Sequence, residues 1–277
     1  MSGKGAPTYQ ELYTMAVDML DSRFDAGQLF FHATQKRVHH LPFMGGKPAP
    51  ANVERMLRGM CEKRRAGVPL QYILGEWEFY GLPFKVGRGV LIPRSETELL
   101  VDTALELARK FEKPEILDLC SGTGCIAVAL AHSLPQAKVT ALEFSSYAYS
   151  FLVQNVALNK CDVQTVQADV DSYYHKTRVD ILACNPPYIP SETISTLQSE
   201  IWFEPRRALN GGTDGLDFYH VIAKNYRRQI NPNGWICFEV GKGQSDQVSS
   251  ILDENGYVGV TVKNDLAGIP RVVYAKR

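Results

Sequence analysis

Over residues 1–75 the apolar positions recur at helical spacing. Leu12, Met15, Ala16, Met19 and Leu20 fall on one face of a helix. Thr8, followed three residues later by Glu11, has the pattern of a capping box. A second helix is expected to start near Asp25 and to carry Leu29 and Phe30. Pro42, the Gly45-Gly46 pair and Pro48-Ala49-Pro50 mark a loop, because glycine and proline punctuate periodic segments. A third helix is expected to be capped by Asn52, to bury Val53, Met56, Leu57 and Met60, and to stop at Gly67 before Pro69. The pattern predicts a small helical bundle, and none of its residues points to chemistry.

From Trp77 to Val86 the period shortens to that of strands. Glu78-Phe79-Tyr80 and Phe84-Lys85-Val86 flank Gly81-Leu82-Pro83, which predicts a hairpin linking the bundle to a second domain. Ser95 and Glu98 read as the cap of a helix through Leu99, Leu100, Thr103 and Leu107, ending near Lys110. After Lys113, short apolar runs alternate with helical stretches. Strands are predicted over 116–119, 139–142, 163–167, 179–184, 235–240, 258–262 and 272–275, and helices over 125–134, 146–158, 216–230 and 244–254. This alternation predicts an α/β fold, a parallel sheet with helices on both faces. The Gly268-Ile269-Pro270-Arg271 link makes the last two strands an antiparallel pair, and residues 189–214 form a long irregular insertion. The expected division is a helical domain over 1–75, a hairpin linker over 76–90 and an α/β domain over 91–277.

The bulk numbers narrow the classes of function. A formal net charge of +0 and a pI near 7.0 lack the basic footprint of a nucleic-acid binder. The N-terminus has no charged region followed by an apolar one, and no run reaches the length of a membrane span, so no membrane association is expected. The six cysteines, at 61, 120, 125, 161, 184 and 237, include no C-x-x-C pair, and the six histidines have no ligand spacing. That argues against a metal site or a disulfide framework and fits a reducing cytoplasm.

Two stretches carry the chemistry. Asp118-Leu119-Cys120-Ser121-Gly122-Thr123-Gly124 lies where the first strand of the alternating region turns into a helix. Glycines there let the backbone approach a ligand closely, and the helix N-terminus directs N–H groups at it. Glu143, nineteen residues after Gly124, ends the next strand and is placed to accept from ribose hydroxyls. Asp169 follows the third strand, beside Val170. The arrangement suits any adenosine-containing cofactor, and Gly122-Thr123-Gly124-Cys125-Ile126-Ala127 also fits a dinucleotide fingerprint.

The other stretch is Ile181 to Tyr188, a short apolar run that ends in Asn185-Pro186-Pro187-Tyr188. Neither proline can donate to a sheet ladder, so the strand must stop there. Asn185 offers a side-chain carbonyl, and the prolines leave backbone carbonyls without neighbouring N–H groups to compete for a ligand. Such a corner is shaped to hold a planar NH2 group by both hydrogens with Tyr188 against its face. Its bland alternative is a proline-capped strand entering a loop.

Together these features tip the cofactor towards S-adenosylmethionine. Asp118, four residues before Gly122, resembles the first residue of the D-x-G-x-G-x-G motif of class I methyltransferases, and a nicotinamide enzyme has no need of the Asn-Pro-Pro-Tyr corner. Cys120 departs from that motif, standing where its first glycine usually is. If the position demands a positive φ, a cysteine there carries strain. More specific matches surround these two stretches. They are Pro69-Leu70-Gln71-Tyr72-Ile73-Leu74-Gly75, Glu78 to Gly81, Leu91 to Glu98, Phe203-Glu204-Pro205 with Ala208-Leu209, and Phe238-Glu239-Val240-Gly241 with Gln244. On these motifs the chain resembles the PrmC/HemK family, which methylates the glutamine of the Gly-Gly-Gln loop in class I peptide chain release factors. The resemblance implies a class I, Rossmann-like methyltransferase fold with a seven-stranded, mostly parallel sheet, a helical N-terminal domain for substrate recognition and a linking hairpin. It implies S-adenosylmethionine contacts from Cys120, Ser121, Gly122, Thr123, Gly124, Glu143, Val170 and Asn185. It also implies that Asn185, Pro186, Pro187 and Tyr188 grip the substrate glutamine, with Asn185, Pro186 and Tyr188 carrying the catalysis. Val170 departs from the bulkier aromatic that some members place beside the adenine.

Three rival functions have their own expectations. A methyltransferase acting on the exocyclic amine of adenine or guanine calls for a basic face. A non-catalytic adapter calls for an eroded corner, and a nicotinamide oxidoreductase calls for neither. For the remaining motif residues a structural role is the simpler expectation: loop closure or channel lining for Glu204 and Pro205, a hydrogen bond for Glu239, and a sheet cap or cofactor contact for Arg94.

Overall fold

The computed structural model describes residues 6–197 and 199–277. The chain divides into two compact units, one comprising the residues up to Gly75 with Ser199–Phe203, the other Glu76–Gln198 with Glu204–Arg277. The first contains α1 (Tyr9–Leu20), α2 (Arg23–Thr34), α3 (Leu41–Met44), α4 (Ala51–Arg65) and α5 (Leu70–Leu74). The capping box of α1 is complete, with Glu11 N–H donating to Thr8 Oγ1 at 3.2 Å and Thr8 N–H to Glu11 Oε2 at 2.7 Å. Helix α2 begins earlier than the sequence pattern predicts because Ser22 is the cap, accepting from Asp25 N–H at 3.1 Å. Asn52 is not a cap. Pro50 occupies that position of α4, with the extended backbone that proline's fixed φ favours, and Asn52 lies inside the helix. Leu12, Ala16, Leu29, Phe30, Leu57 and Met60 form the buried side of the bundle, whereas Met56 is exposed. Arg64 ties the unit together through Asp25 at 2.6 Å and Glu200 at 2.8 Å.

The second unit opens with the hairpin β1 (Glu76–Phe79) and β2 (Leu82–Lys85) and continues with α6 (Glu98–Ala108). Tyr80 and Gly81 take positive φ at the hairpin turn, as a two-residue turn between right-twisted strands requires. Next come β3 (Glu115–Leu119), α7 (Cys125–Ser133), β4 (Lys138–Glu143), α8 (Ser146–Asn159), β5 (Val163–Gln167) and β6 (Val179–Cys184). The chain finishes with α9 (Asp217–Tyr226), β7 (Ile230–Glu239), α10 (Ser245–Glu254), β8 (Val258–Asn264) and β9 (Pro270–Lys276). Among the described residues the main sheet has seven strands in the order β5-β4-β3-β6-β7-β9-β8. Only β9 breaks the parallel run, pairing antiparallel with β7 and β8. The 189–214 insertion has no strand or α-helix among its described residues, only short 3-10 turns at Thr193–Thr196, Ser199–Phe203 and Arg206–Ala208.

Both faces of the sheet are covered, so its central strands are apolar on alternate sides and read as continuous hydrophobic runs. Ile116, Val139, Ile181 and Cys237 pack with α6 and α7 on one side. Leu117, Leu119, Leu182, Cys184 and Phe238 pack with α9 and α10 on the other. Strands β3 and β6 lie side by side, with Leu119 opposite Cys184. Their C-terminal turns, one glycine-rich and one proline-rich, therefore emerge together at the edge where open α/β sheets bind ligands. No helix among the described residues is long and apolar enough to cross a membrane.

The hairpin is held on α8 by Asn159, which donates to Pro83 O at 2.9 Å, and by Asn155. Asn155, fully buried, accepts from Lys85 N–H at 2.7 Å and donates to Lys85 O at 3.1 Å and Thr123 O at 3.0 Å. It thereby couples the hairpin to the glycine loop. Asn155→Ala would leave three backbone groups short of a partner and should cost about 3 kcal/mol, measured as a lower urea midpoint with an unchanged m-value.

Candidate active site

The glycine loop is shaped by its backbone. Cys120, Gly122 and Gly124 all take positive φ, at 57°, 55° and 79°. The expectation for Cys120 is met: a cysteine holds a left-handed conformation that costs an L-residue roughly 1–2 kcal/mol. At Gly124 any Cβ would stand 2.4 Å from Leu152 Cδ1, displacing that side chain, on a backbone that already favours glycine. Ser121 N–H donates to Leu142 O at 3.0 Å and Gly124 N–H to Ser121 O at 2.7 Å, closing the turn before α7 starts.

Glu143 completes this loop from the neighbouring strand. Its Oε2 accepts from Gly122 N–H at 2.8 Å and its Oε1 from Ser145 N–H at 2.7 Å. Burial raises its pKa above the ordinary carboxylate value, and these backbone donors partly offset that. Each oxygen keeps a lone pair for a ligand hydroxyl. Asp118 sits below, fully buried, with neither carboxylate oxygen in a hydrogen bond of normal geometry among the described residues. Burial pushes it up to about 7; the Ser121 side chain and the Ala127 backbone pull the other way, and the nearby Glu143 charge adds to the rise.

One cavity gathers these residues. It is lined by Cys120, Ser121, Gly122, Thr123, Glu143, Val170, Asn185 and Pro187 from the sequence-predicted set. Its space, open mouth and the solvent there included, is about 1150 Å³. Gly124, Pro186 and Tyr188 are not part of its wall. Gly124 acts from behind, as the residue preceding α7. Tyr188 is half-buried at the rim of the apolar cluster under α9, with its ring against Gly241 and its carbonyl accepting from Gln244 Nε2 at 3.0 Å. Burial pushes its phenol up to about 12. Val170 is buried, and its carbonyl accepts from Tyr226 Oη at 2.9 Å.

Several residues of the site escaped the sequence reading. Ser95 and Glu98 do not form a capping box. Ser95 Oγ bonds Glu96 at 3.0 Å, and Glu98 Oε1 accepts from Tyr80 N–H at 2.9 Å. Thr97 stands at the head of α6 without capping it, and its Oγ1 instead accepts from Asn185 Nδ2 at 3.2 Å. Phe144 and Arg207 are also cavity residues, with the guanidinium stacked 3.7 Å from the ring centroid. The polar cluster in Arg94-Ser95-Glu96-Thr97 was the one available signal for Thr97. Nothing local announces Arg207. Glu204 is a closure: its Oε2 accepts from Ile92 N–H at 3.0 Å and its Oε1 pairs with Arg94. Arg94 and Pro205 line the cavity as well.

Known proteins resemble this chain over most of its length. Residues 95–216 match the methyltransferase small domain and residues 16–75 the PrmC N-terminal domain. A release factor glutamine methyltransferase of Thermodesulfovibrio yellowstonii is 40% identical over 227 residues, which cover 80% of this chain and 81% of that protein. One from Aquifex aeolicus is 31% identical over 257 residues, covering 92% and 91%. The chain belongs to the release factor glutamine methyltransferase family. A member from Fusobacterium nucleatum is 40% identical over 228 residues, 81% of this chain but 64% of the relative. Among solved structures, a methyltransferase from Pyrococcus furiosus superposes with a TM-score of 0.56 at 15% identity, over 78% of this chain and 98% of that one. The hMettl16 catalytic domain does so with 0.59 at 18%, over 76% and 81%. At such identities the likeness concerns the fold, a class I methyltransferase sheet.

The buried Asp118 makes a prediction about stability. Its pKa in the fold, about 7, lies above the ordinary value of 3.8, so folding favours the protonated carboxyl. The stability this contributes is complete below the unfolded pKa and is lost as pH rises towards the folded one. Asp118→Asn, which cannot ionise, should melt above the wild type at about pH 8 and level with it near about pH 4, as followed by calorimetry.

Proposed function

We propose that the protein transfers a methyl group from S-adenosylmethionine to the side-chain amide nitrogen of the glutamine in the Gly-Gly-Gln loop of class I peptide chain release factors. It would thereby modulate translation termination in the cytoplasm. The observation that carries this reading is that one cavity joins the glycine loop and Glu143 to Asn185 and Pro187, within a chain of the release factor glutamine methyltransferase family.

The residues present suit the cofactor. Glu143 offers paired carboxylate oxygens already oriented by two backbone donors, the chemistry needed for the vicinal hydroxyls of a ribose. Phe144 and Val170 supply apolar surface beside them. When bound, S-adenosylmethionine supplies a methyl group made electrophilic by its sulfonium.

An amide nitrogen is a poor nucleophile because its lone pair is delocalised into the carbonyl. On this reading, Asn185 Oδ1 and the Pro186 carbonyl accept the two N–H hydrogens of the glutamine. The nitrogen is then held facing the methyl, and orientation supplies a large share of the acceleration. The same acceptors stabilise positive charge growing on the nitrogen as the new bond forms. Pro187 and Tyr188 hold the amide plane. The surplus proton leaves the nitrogen after transfer, so no side chain is assigned as general base.

The test is transfer of labelled methyl from S-adenosylmethionine to a release factor whose loop glutamine is intact or replaced. Label should appear on the intact factor alone; label on the replaced factor, or on nucleic acid only, overturns the reading. Asn185→Ala should lower turnover by about a hundredfold or more while weakening cofactor binding, read by calorimetry, much less.

A further inference from the structure

The buried carboxylate of Glu239 has no place in the chemistry above. It ends β7, two strands from the glycine loop, and is 2% exposed. Its Oε2 has no hydrogen-bond partner among the described residues. The nearby Thr97 hydroxyl and Asn185 carboxamide both favour its charged form. Thr97 in turn accepts from Asn185 Nδ2 at 3.2 Å. A buried carboxylate left partly unpaired costs stability, and a fold retains one where it serves a purpose.

The chemistry of these three groups is directional. An ionised carboxylate accepts hydrogen bonds and donates none. Facing Asn185, it tolerates the amide nitrogen and repels the amide oxygen. Thr97 has one hydroxyl proton; donating it to Glu239 leaves the oxygen free to accept from Asn185 Nδ2. Both contacts therefore select the same rotamer, with Nδ2 turned inward and Oδ1 turned to the opposite side. The flipped rotamer would offer an NH2 to the NH2 of the substrate, donor against donor.

We propose that Glu239, with Thr97, is a positioning residue that fixes the flip of the Asn185 carboxamide so that Oδ1 faces the substrate amide. The proposal rests on the role given above to Asn185. It adds a pH dependence, since a protonated Glu239 becomes a donor and loses its selectivity. Burial pushes Glu239 up to about 7, opposed by the nearby Thr97 hydroxyl, Arg271 on β9 and the Asn185 amide, and aided by Glu96 in the turn before α6. Tyr188, Tyr219, Cys125 and Cys184 also face it, and burial raises all four pKa values well above neutrality, so they stay uncharged in this range. The ionised form is the active one. Activity should fall as pH drops through about 7.

The experiment measures kcat and KM for the release factor, and cofactor affinity by calorimetry, across the pH range for wild type, Glu239→Gln, Thr97→Val, Thr97→Ser and Asp118→Asn. Glu239→Gln should lower kcat about 30-fold, leave cofactor affinity within about twofold, and abolish the acid limb. Asp118→Asn, which also removes a group titrating near about 7, should keep that limb. Thr97→Val should reproduce the loss and Thr97→Ser, which keeps the hydroxyl, should restore most of the rate. Wild-type kcat and an intact acid limb in Glu239→Gln would overturn the positioning role, as would equal rates for Thr97→Val and Thr97→Ser. Absence of release-factor methylation by the wild type is a different result, which refutes the proposed function itself.

Discussion

Everything at the site depends on the pairing of β3 with β6 at the centre of the sheet. Because Leu119 lies opposite Cys184, the next residues of the two strands, Cys120 and Asn185, leave the sheet as neighbours. A slip of one residue in either strand would send its side chains to the opposite faces. Leu117, Leu119, Leu182 and Cys184 would then have to exchange places with residues packed under α6 and α7. Hydrophobic burial thus holds two polar turns in register without either turn having to hold the other.

The polar groups at this edge are expensive to keep. Asp118, Glu143 and Glu239 are all buried, and burial raises the pKa of each. They are offset to different degrees. Glu143 receives backbone donors on both oxygens, whereas Glu239 Oε2 and both oxygens of Asp118 have no hydrogen-bond partner among the described residues. Glu143, the one of the three that lines the cavity, is thus the one solvated by the protein itself, as expected where fixed dipoles replace water.

Much of this was legible from spacing. Strand and helix periodicity placed the α/β sheet and its antiparallel end pair, because buried parallel strands are long apolar runs that tolerate little else. Helix starts were less legible. Asn52 has the composition of a cap, yet Pro50 sets the backbone first; Ser95 and Glu98 match a capping box, yet Glu98 is claimed by Tyr80 of the hairpin. In both cases a competing partner decided the outcome, and a local pattern carries no record of it. The same limit applied at the site. Cys120, Gly122, Glu143 and Asn185 announced themselves by type and offset, whereas Thr97 and Arg207 reach the cavity from segments before and after the strands that build it. Cys120 shows the converse: the strain at its backbone was readable from a missing glycine.

The pairing of Glu204 with Ile92 and Arg94 bears on how such a protein diversifies. At the other end of the same segment, Ile189 exchanges backbone bonds with Leu209 and Gly211, at 2.8 and 2.9 Å. The stretch between is clamped at both ends. Closing a longer loop between fixed ends costs only a logarithmic increment of entropy. Added length between residues 190 and 197 would therefore disturb the Asn-Pro-Pro-Tyr corner little, whereas Glu200 further along is held by its pairing with Arg64.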